Sequence, residues 1–137
     1  MNIDSIQNGI VIDHISAGRG MELYHLLGLD DLDVSVAIIK NASSKKLGKK
    51  DIIKIDAAID INLDVIGFVD PGATVNIIRD GKLIDKMTMD LPQTLTNVLT
   101  CKNPRCITST EPNLDQIFKL TDEKSKVYRC IYCETKY

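Results

Sequence analysis

Tryptophan is absent from these 137 residues, phenylalanine occurs twice, and no cysteine precedes residue 101. With aromatics at only 4%, any core must be built mainly from aliphatic side chains. No stretch approaches the roughly 18 uncharged apolar residues of a membrane-spanning helix. The opening MNIDSIQNGIVIDHIS has no basic n-region and no long apolar run. A signal peptide is therefore not expected, and the expected location is the cytoplasm. Strong charge of one sign is missing as well. Seventeen Lys+Arg against 19 Asp+Glu give a net charge of -2 and a pI near 5.6, which argues against a general nucleic-acid binder. Hydrophobic residues at 44% and charged residues at 26% exclude wholesale disorder.

Catalytic and phosphate-loop signatures are also lacking. There is no G-x-x-x-x-G-K-[ST] and no G-x-G-x-x-G, so a phosphate ligand here is held by lysine side chains rather than a glycine loop. G-x-S-x-G and H-E-x-x-H are absent too. Of the two histidines, His25 falls in an expected helix as a surface or packing residue. His14 follows Asp13 in an expected strand, where adjacent side chains point to opposite faces, which argues against an Asp–His dyad. The residues predict a binding protein without chemistry of its own.

What is present divides in two. Residues 1–95 hold 10 Lys+Arg and 14 Asp+Glu, a net of -4; residues 96–137 hold 7 and 5, a net of +2, and all four cysteines. The second segment is near the size at which a hydrophobic core alone seldom suffices, so a metal or disulfides are expected there. In the first, GIVIDHI (9–15) reads as a β-branched strand, broken by Gly18 and Gly20. MELYHLL (21–27) reads as a short helix with Met21, Tyr24 and Leu27 in phase and Gly28 as its stop. DVSVAIIK (33–40) is a second strand, 41–49 a polar loop, and KDIIKID (50–56) an alternating strand with Ile53 and Ile55 on one face. Residues 60–69 read as a helix ended by Asp70-Pro71-Gly72. ATVNIIR and KLIDKMTM flank Asp80-Gly81, a type I′ hairpin signal.

This order predicts an α+β fold: a ferredoxin-like sheet with two helices on one face, followed by a small all-β domain. The other face of the sheet must meet water, a ligand or another subunit. Asp13, Lys54 and Asn76 are expected on that face, with Lys50 nearby and Lys86 on the last strand. Five of the ten basic residues lie between Lys45 and Lys54. Such a cluster attracts phosphate groups; composition equally allows a solvated lysine loop.

Cys101, Cys106, Cys130 and Cys133 are spaced C-x4-C and C-x2-C, the pattern of two knuckles closing on one Zn²⁺. Iron, disulfides and a redox C-x-x-C are the competing readings. Four thiolates leave no position for water on the ion, so a zinc here is structural. QIFKL and KVYRC read as strands joined by the turn 121–125. A zinc-ribbon nucleic-acid binder and a redox enzyme using Cys130 and Cys133 are alternative functions on these residues alone.

Five blocks carry a further signal: GIVIDHI, LGKKDIIKID, DPGATVNIIRDGKLIDK, LPQTLTNVLTCKNPRCIT with the following EP, and YRCIYCE. Through them the chain resembles the regulatory chain of aspartate carbamoyltransferase over essentially its full length. The resemblance implies an N-terminal ferredoxin-like allosteric domain (1–95) and a C-terminal zinc domain (96–137) that docks on the catalytic chain. It implies no catalytic activity and a place in pyrimidine biosynthesis. The implied effectors are CTP and ATP, with UTP in some members. Regulatory-chain homodimers bridge catalytic trimers in that family. Asp13, His14, Lys50, Lys54, Asn76, Ile78 and Lys86 match positions lining its nucleotide pocket. Ile6, Val11 and Leu83 match contacts near base and sugar. The four cysteines match the zinc ligands, and Asn103 and Glu134 match positions facing the catalytic chain. Gly81 departs from the pattern by standing where a bulkier side chain occurs.

Overall fold

In the computed structural model, which describes residues 6–137, the chain divides into one unit ending at Asp90 and another beginning at Leu91. The expected division at 95/96 falls inside Thr94–Thr96, a strand paired with the second unit's sheet, so those residues belong there.

The first unit runs β1 (Gly9–Ser16), α1 (Gly20–Leu26), β2 (Val36–Ser44), β3 (Gly48–Ile55), α2 (Leu63–Val69), β4 (Thr74–Arg79) and β5 (Lys82–Thr88). Its sheet has the order β2-β3-β1-β4-β5, antiparallel throughout. Without β5 this is the ferredoxin-like split βαβ arrangement. Strand alternation sends Ile10, Ile12, Ile53, Ile55 and Val75 to one face, where Leu23, Val65, Ile66 and Val69 from the helices join them in a buried core. Each such side chain contributes about 1.5–3 kcal/mol on burial. Asp80 (φ 52) and Gly81 (φ 75) both take left-handed backbone, as a type I′ turn between β4 and β5 requires.

Three local expectations shift. Helix α1 buries Leu23 and leaves Met21 exposed, so the Met21/Tyr24/Leu27 stripe is not its core face. Its entry sets the phase: Gly20 N–H donates to the buried Asp51 carboxylate at 2.9 Å, which turns Leu23 onto the sheet. Helix α2 starts at Leu63 rather than 60, because Asn62 Oδ1 accepts from Asp64 N–H at 3.0 Å and caps it there. Strand β2 runs on through the expected loop to Ser44. A bulge at Asn41 (φ 57) shifts its register, and Asn41 N–H donates to Asp51 Oδ1 at 3.1 Å.

The second unit holds β6 (Thr94–Thr96), α3 (Ile107–Thr110), β7 (Ile117–Asp122) and β8 (Val127–Cys130), with sheet order β6-β7-β8. Leu95, Phe118, Leu120 and Tyr128 are buried in it. The Tyr128 hydroxyl donates to the Pro92 carbonyl at 2.6 Å, satisfying the polar tip of the largest core side chain.

Candidate functional site

The helix-free face of the first sheet is organised in rungs. Lys54 pairs with Val11, Val11 with Asn76, and Asn76 with Lys86, so one rung crosses four strands. Toward the β4–β5 turn, the next rung carries Gly9, Ile78 and Leu83. In the opposite direction Asp13 pairs with Thr74. The face is therefore apolar at one end, cationic across its middle and acidic beyond. It forms a depression of about 520 Å³, within the size range of small-molecule sites. Asn76 Oδ1 is a buried oxygen with no hydrogen-bond partner among the described residues. A buried acceptor left unmade costs free energy, and a ligand donor relieves it.

Of the ten expected ligand contacts, the structure brings Ile6, Val11, Asp13, Lys54, Asn76, Ile78, Leu83 and Lys86 to this depression. Lys50 and His14 do not line it. Lys50 Nζ instead pairs with Asp13 Oδ1 at 2.9 Å. His14 sits in a β-bulge with φ 58; its N–H donates to Asp13 Oδ1 at 2.6 Å, and its Nδ1 lies 3.1 Å from Thr74 Oγ1. Both residues thus shape the Asp13 corner. Burial pushes the Asp13 carboxyl up, but the hydrogen bonds from Lys50 and His14 and their positive charge outweigh it, and its pKa lies below the ordinary value. His25 is far from this chemistry in sequence and role: its ring meets Asp30 Oδ2 at 3.2 Å and packs edge-on against Tyr24.

Ile52 and Gly81 line the depression without having been expected there. Ile52 was legible in principle, since it shares the phase of Lys50 and Lys54 on β3. Gly81 offers no side chain for a pattern to catch.

In the second unit the ligand atoms of Cys101, Cys106, Cys130 and Cys133 all lie within 4.8 Å of one another. Cys101 Sγ and Cys133 Sγ are 3.6 Å apart, and Cys106 Sγ and Cys130 Sγ 3.7 Å. A tetrahedral ion with metal–sulfur bonds of about 2.3 Å requires sulfur–sulfur edges near 3.8 Å. The four thiols therefore fit one divalent cation and are not disulfide-bonded. Burial raises the Cys101 and Cys130 thiols, whereas hydrogen bonding with Thr135 lowers Cys133 to about 6. A divalent cation supplies the positive charge that deprotonates buried thiols. The cradle is reinforced locally. Thr108 Oγ1 donates to Cys106 Sγ at 3.2 Å, and Thr135 Oγ1 lies 3.1 Å from Cys133 Sγ.

Asn103 and Glu134 are placed differently. Asn103 closes the first knuckle: its Oδ1 accepts from Arg105 N–H at 3.0 Å, its carbonyl accepts from Cys106 N–H at 3.1 Å, and its Nδ2 donates to Thr135 at 3.3 Å. Glu134 is exposed, with left-handed backbone (φ 62), and its carbonyl accepts from Arg129 Nη1 at 3.1 Å.

With this geometry in view, the comparisons agree with both units. Residues 1–90 match the family described as aspartate carbamoyltransferase regulatory chain, allosteric domain, and residues 93–137 match the corresponding metal binding domain. A regulatory chain of aspartate carbamoyltransferase from Clostridium botulinum is 50% identical over 137 residues, covering 100% of this chain and 94% of the relative. The Clostridium acetobutylicum protein of that name is 48% identical with the same coverage. The Bifidobacterium longum one is 46% identical over 134 residues, 98% of this chain and 96% of its own length. Among the described residues no helix is long and apolar enough to cross a membrane.

Proposed function

Because the chain belongs to the aspartate carbamoyltransferase regulatory-chain family, we propose that it binds nucleoside triphosphates on the open sheet face and passes their effect to a catalytic chain, with no catalysis of its own. The effectors are CTP and ATP, with UTP as a further ligand. The observation that carries this is the rung Lys54–Val11–Asn76–Lys86, which sets two cations and an unsatisfied acceptor across a depression that is apolar at one end. A nucleotide is complementary to that gradient. Its base suits the Ile78–Leu83 end, its anionic oxygens suit Lys54 and Lys86, and a donor of the ligand satisfies Asn76 Oδ1. Asp13, held ionised by Lys50, suits a ribose hydroxyl. His14 and Lys50 act at that corner by orienting Asp13.

The four cysteines hold one structural Zn²⁺ per chain, which replaces the core that so small a unit cannot build. The unit it rigidifies docks on the catalytic chain, with Asn103 and Glu134 beside the ion. The regulatory chain pairs as a homodimer and works in the cytoplasm, in pyrimidine biosynthesis.

Allosteric control requires effectors that bind two quaternary states with different affinity, since tight binding to both shifts nothing. The test is assembly with the cognate catalytic chain, followed by aspartate saturation curves with and without CTP and ATP. Curves that shift with nucleotide, and lose the shift in Lys54→Ala, support the reading. Nucleotide-independent curves in the intact assembly overturn it.

A further inference from the structure

The apolar end of the open face is completed by a residue outside the expected contacts. Gly81 borders that end beside Ile6 and Leu83. Its φ of 75 disfavours any side chain there. The position a Cβ would occupy is flanked instead by the Gln7 amide, with Oε1 at 3.0 Å and Nε2 at 3.5 Å. Gln7 is fixed by its main chain: its carbonyl accepts from Gly81 N–H at 2.9 Å, and the adjacent Asn8 Oδ1 accepts from Asp80 N–H at 3.2 Å. Its side chain is exposed. An amide on a pinned backbone thus stands over the gap that the glycine leaves.

Resting on the nucleotide reading above, we propose that Gln7 is a specificity-determining residue that reads the hydrogen-bonding edge of the nucleobase at the Gly81 end. The rungs orient the ligand, because the cations Lys54 and Lys86 lie one rung further along the strands than Ile78 and Leu83. A triphosphate drawn toward the lysines leaves its ring at the apolar end. One primary amide carries both a donor and an acceptor. It matches the acceptor and amino donor of a cytosine edge, and after a flip the carbonyl and N–H of a uracil edge. Gln7 therefore strengthens binding of both pyrimidines and chooses weakly between them.

The test is calorimetric titration of the metal-loaded full-length chain with CTP and, separately, UTP. Wild type is compared with Gln7→Ala, Gln7→Glu and Lys54→Ala. The main-chain bonds of Gln7 survive both substitutions, and circular dichroism with metal content verifies the fold. Gln7→Ala weakens CTP and UTP about fivefold each, the loss of roughly one net hydrogen bond. Gln7→Glu keeps acceptors only. Its charge repels both triphosphates alike, so that repulsion cancels in the ratio of affinities, and the preference for CTP over UTP rises about fivefold or more. Affinities and ratio within twofold of wild type in both Gln7 variants overturn the role of Gln7, while the nucleotide site itself stands if Lys54→Ala still weakens binding. A wild-type chain that binds neither nucleotide overturns both.

Discussion

Lys50 Nζ meets Asp13 Oδ1 at 2.9 Å, and both side chains are largely buried, at 16% and 21% exposed. The pair joins β3 to β1 where the bulge after Ile12 breaks their register. Asp13 also accepts from His14 N–H, so the carboxylate is fixed from two directions before any ligand arrives.

That arrangement makes acid sensitivity a signature of the Asp13 corner. Its folded-state pKa lies below the ordinary 3.8. A depressed carboxyl stabilises the fold fully above the unfolded value and ceases to do so as pH falls through the folded value. Thermal melts of wild type and Asp13→Asn are expected to differ most at neutral pH and to converge below about pH 4, in line with ordinary carboxyl titration. Melts that stay parallel from pH 7 to pH 2 would contradict the assignment.

Asp51 carries a structural prediction. It is fully buried and accepts from Gly18, Gly20 and Asn41 N–H at 3.1, 2.9 and 3.1 Å. Asp51→Ala strands three buried donors between the β1–α1 turn and the β2 bulge. The expected loss in urea unfolding is about 2–4 kcal/mol, consistent with unsatisfied buried groups. A change below about 0.5 kcal/mol, the size of an ordinary surface substitution, would refute the role.

Gly9 is the tightest passage in the sheet. A Cβ there would overlap the Ile55 carbonyl oxygen and come within 2.8 Å of Ile6 Cγ2. Gly9→Ala is expected to destabilise the first unit by about 1–3 kcal/mol, as overpacking does. Because Ile6 also borders the ligand depression, CTP affinity should fall in the same variant. Wild-type stability by chemical denaturation would show that the backbone yields freely there.

Metal removal should act on one unit alone. Treatment with a strong chelator, or Cys106→Ala, is expected to open residues 91–137 to protease while residues 6–90 stay resistant. Metal analysis of the untreated chain should give one zinc per chain. A protease-resistant second unit after complete metal loss would rule out the ion as its core.

Much of this was legible in the sequence because the signals are local. Alternating Ile53 and Ile55 against Lys54, the turn pair Asp80-Gly81, and the two cysteine knuckles each announce themselves within a few residues. Long-range effects were not legible. Nothing near Asp51 says that it is buried, since its three partners lie 10 to 33 residues away. That contact both carries β2 past Asn41 and turns α1 so that Leu23 faces the core. Thr94–Thr96 is too short to read as a strand without β7 beside it. In the site, alternation placed Lys54, Val11 and Asn76 correctly on one face, but the bulge at His14 diverted two expected contacts, and the Gln7 amide became visible only once the β4–β5 turn was folded against it.

Equilibrium titration of CTP into the metal-loaded chain, wild type beside Lys54→Ala and Lys86→Ala, probes the open face most directly. Saturable binding in wild type, at least about tenfold weaker in each variant at unchanged zinc content, is the predicted result for lost charge-assisted bonds to phosphate or ribose oxygens. Titrations that overlay wild type in both variants would place the nucleotide elsewhere, and no saturable binding in wild type would leave the rung of lysines without a ligand.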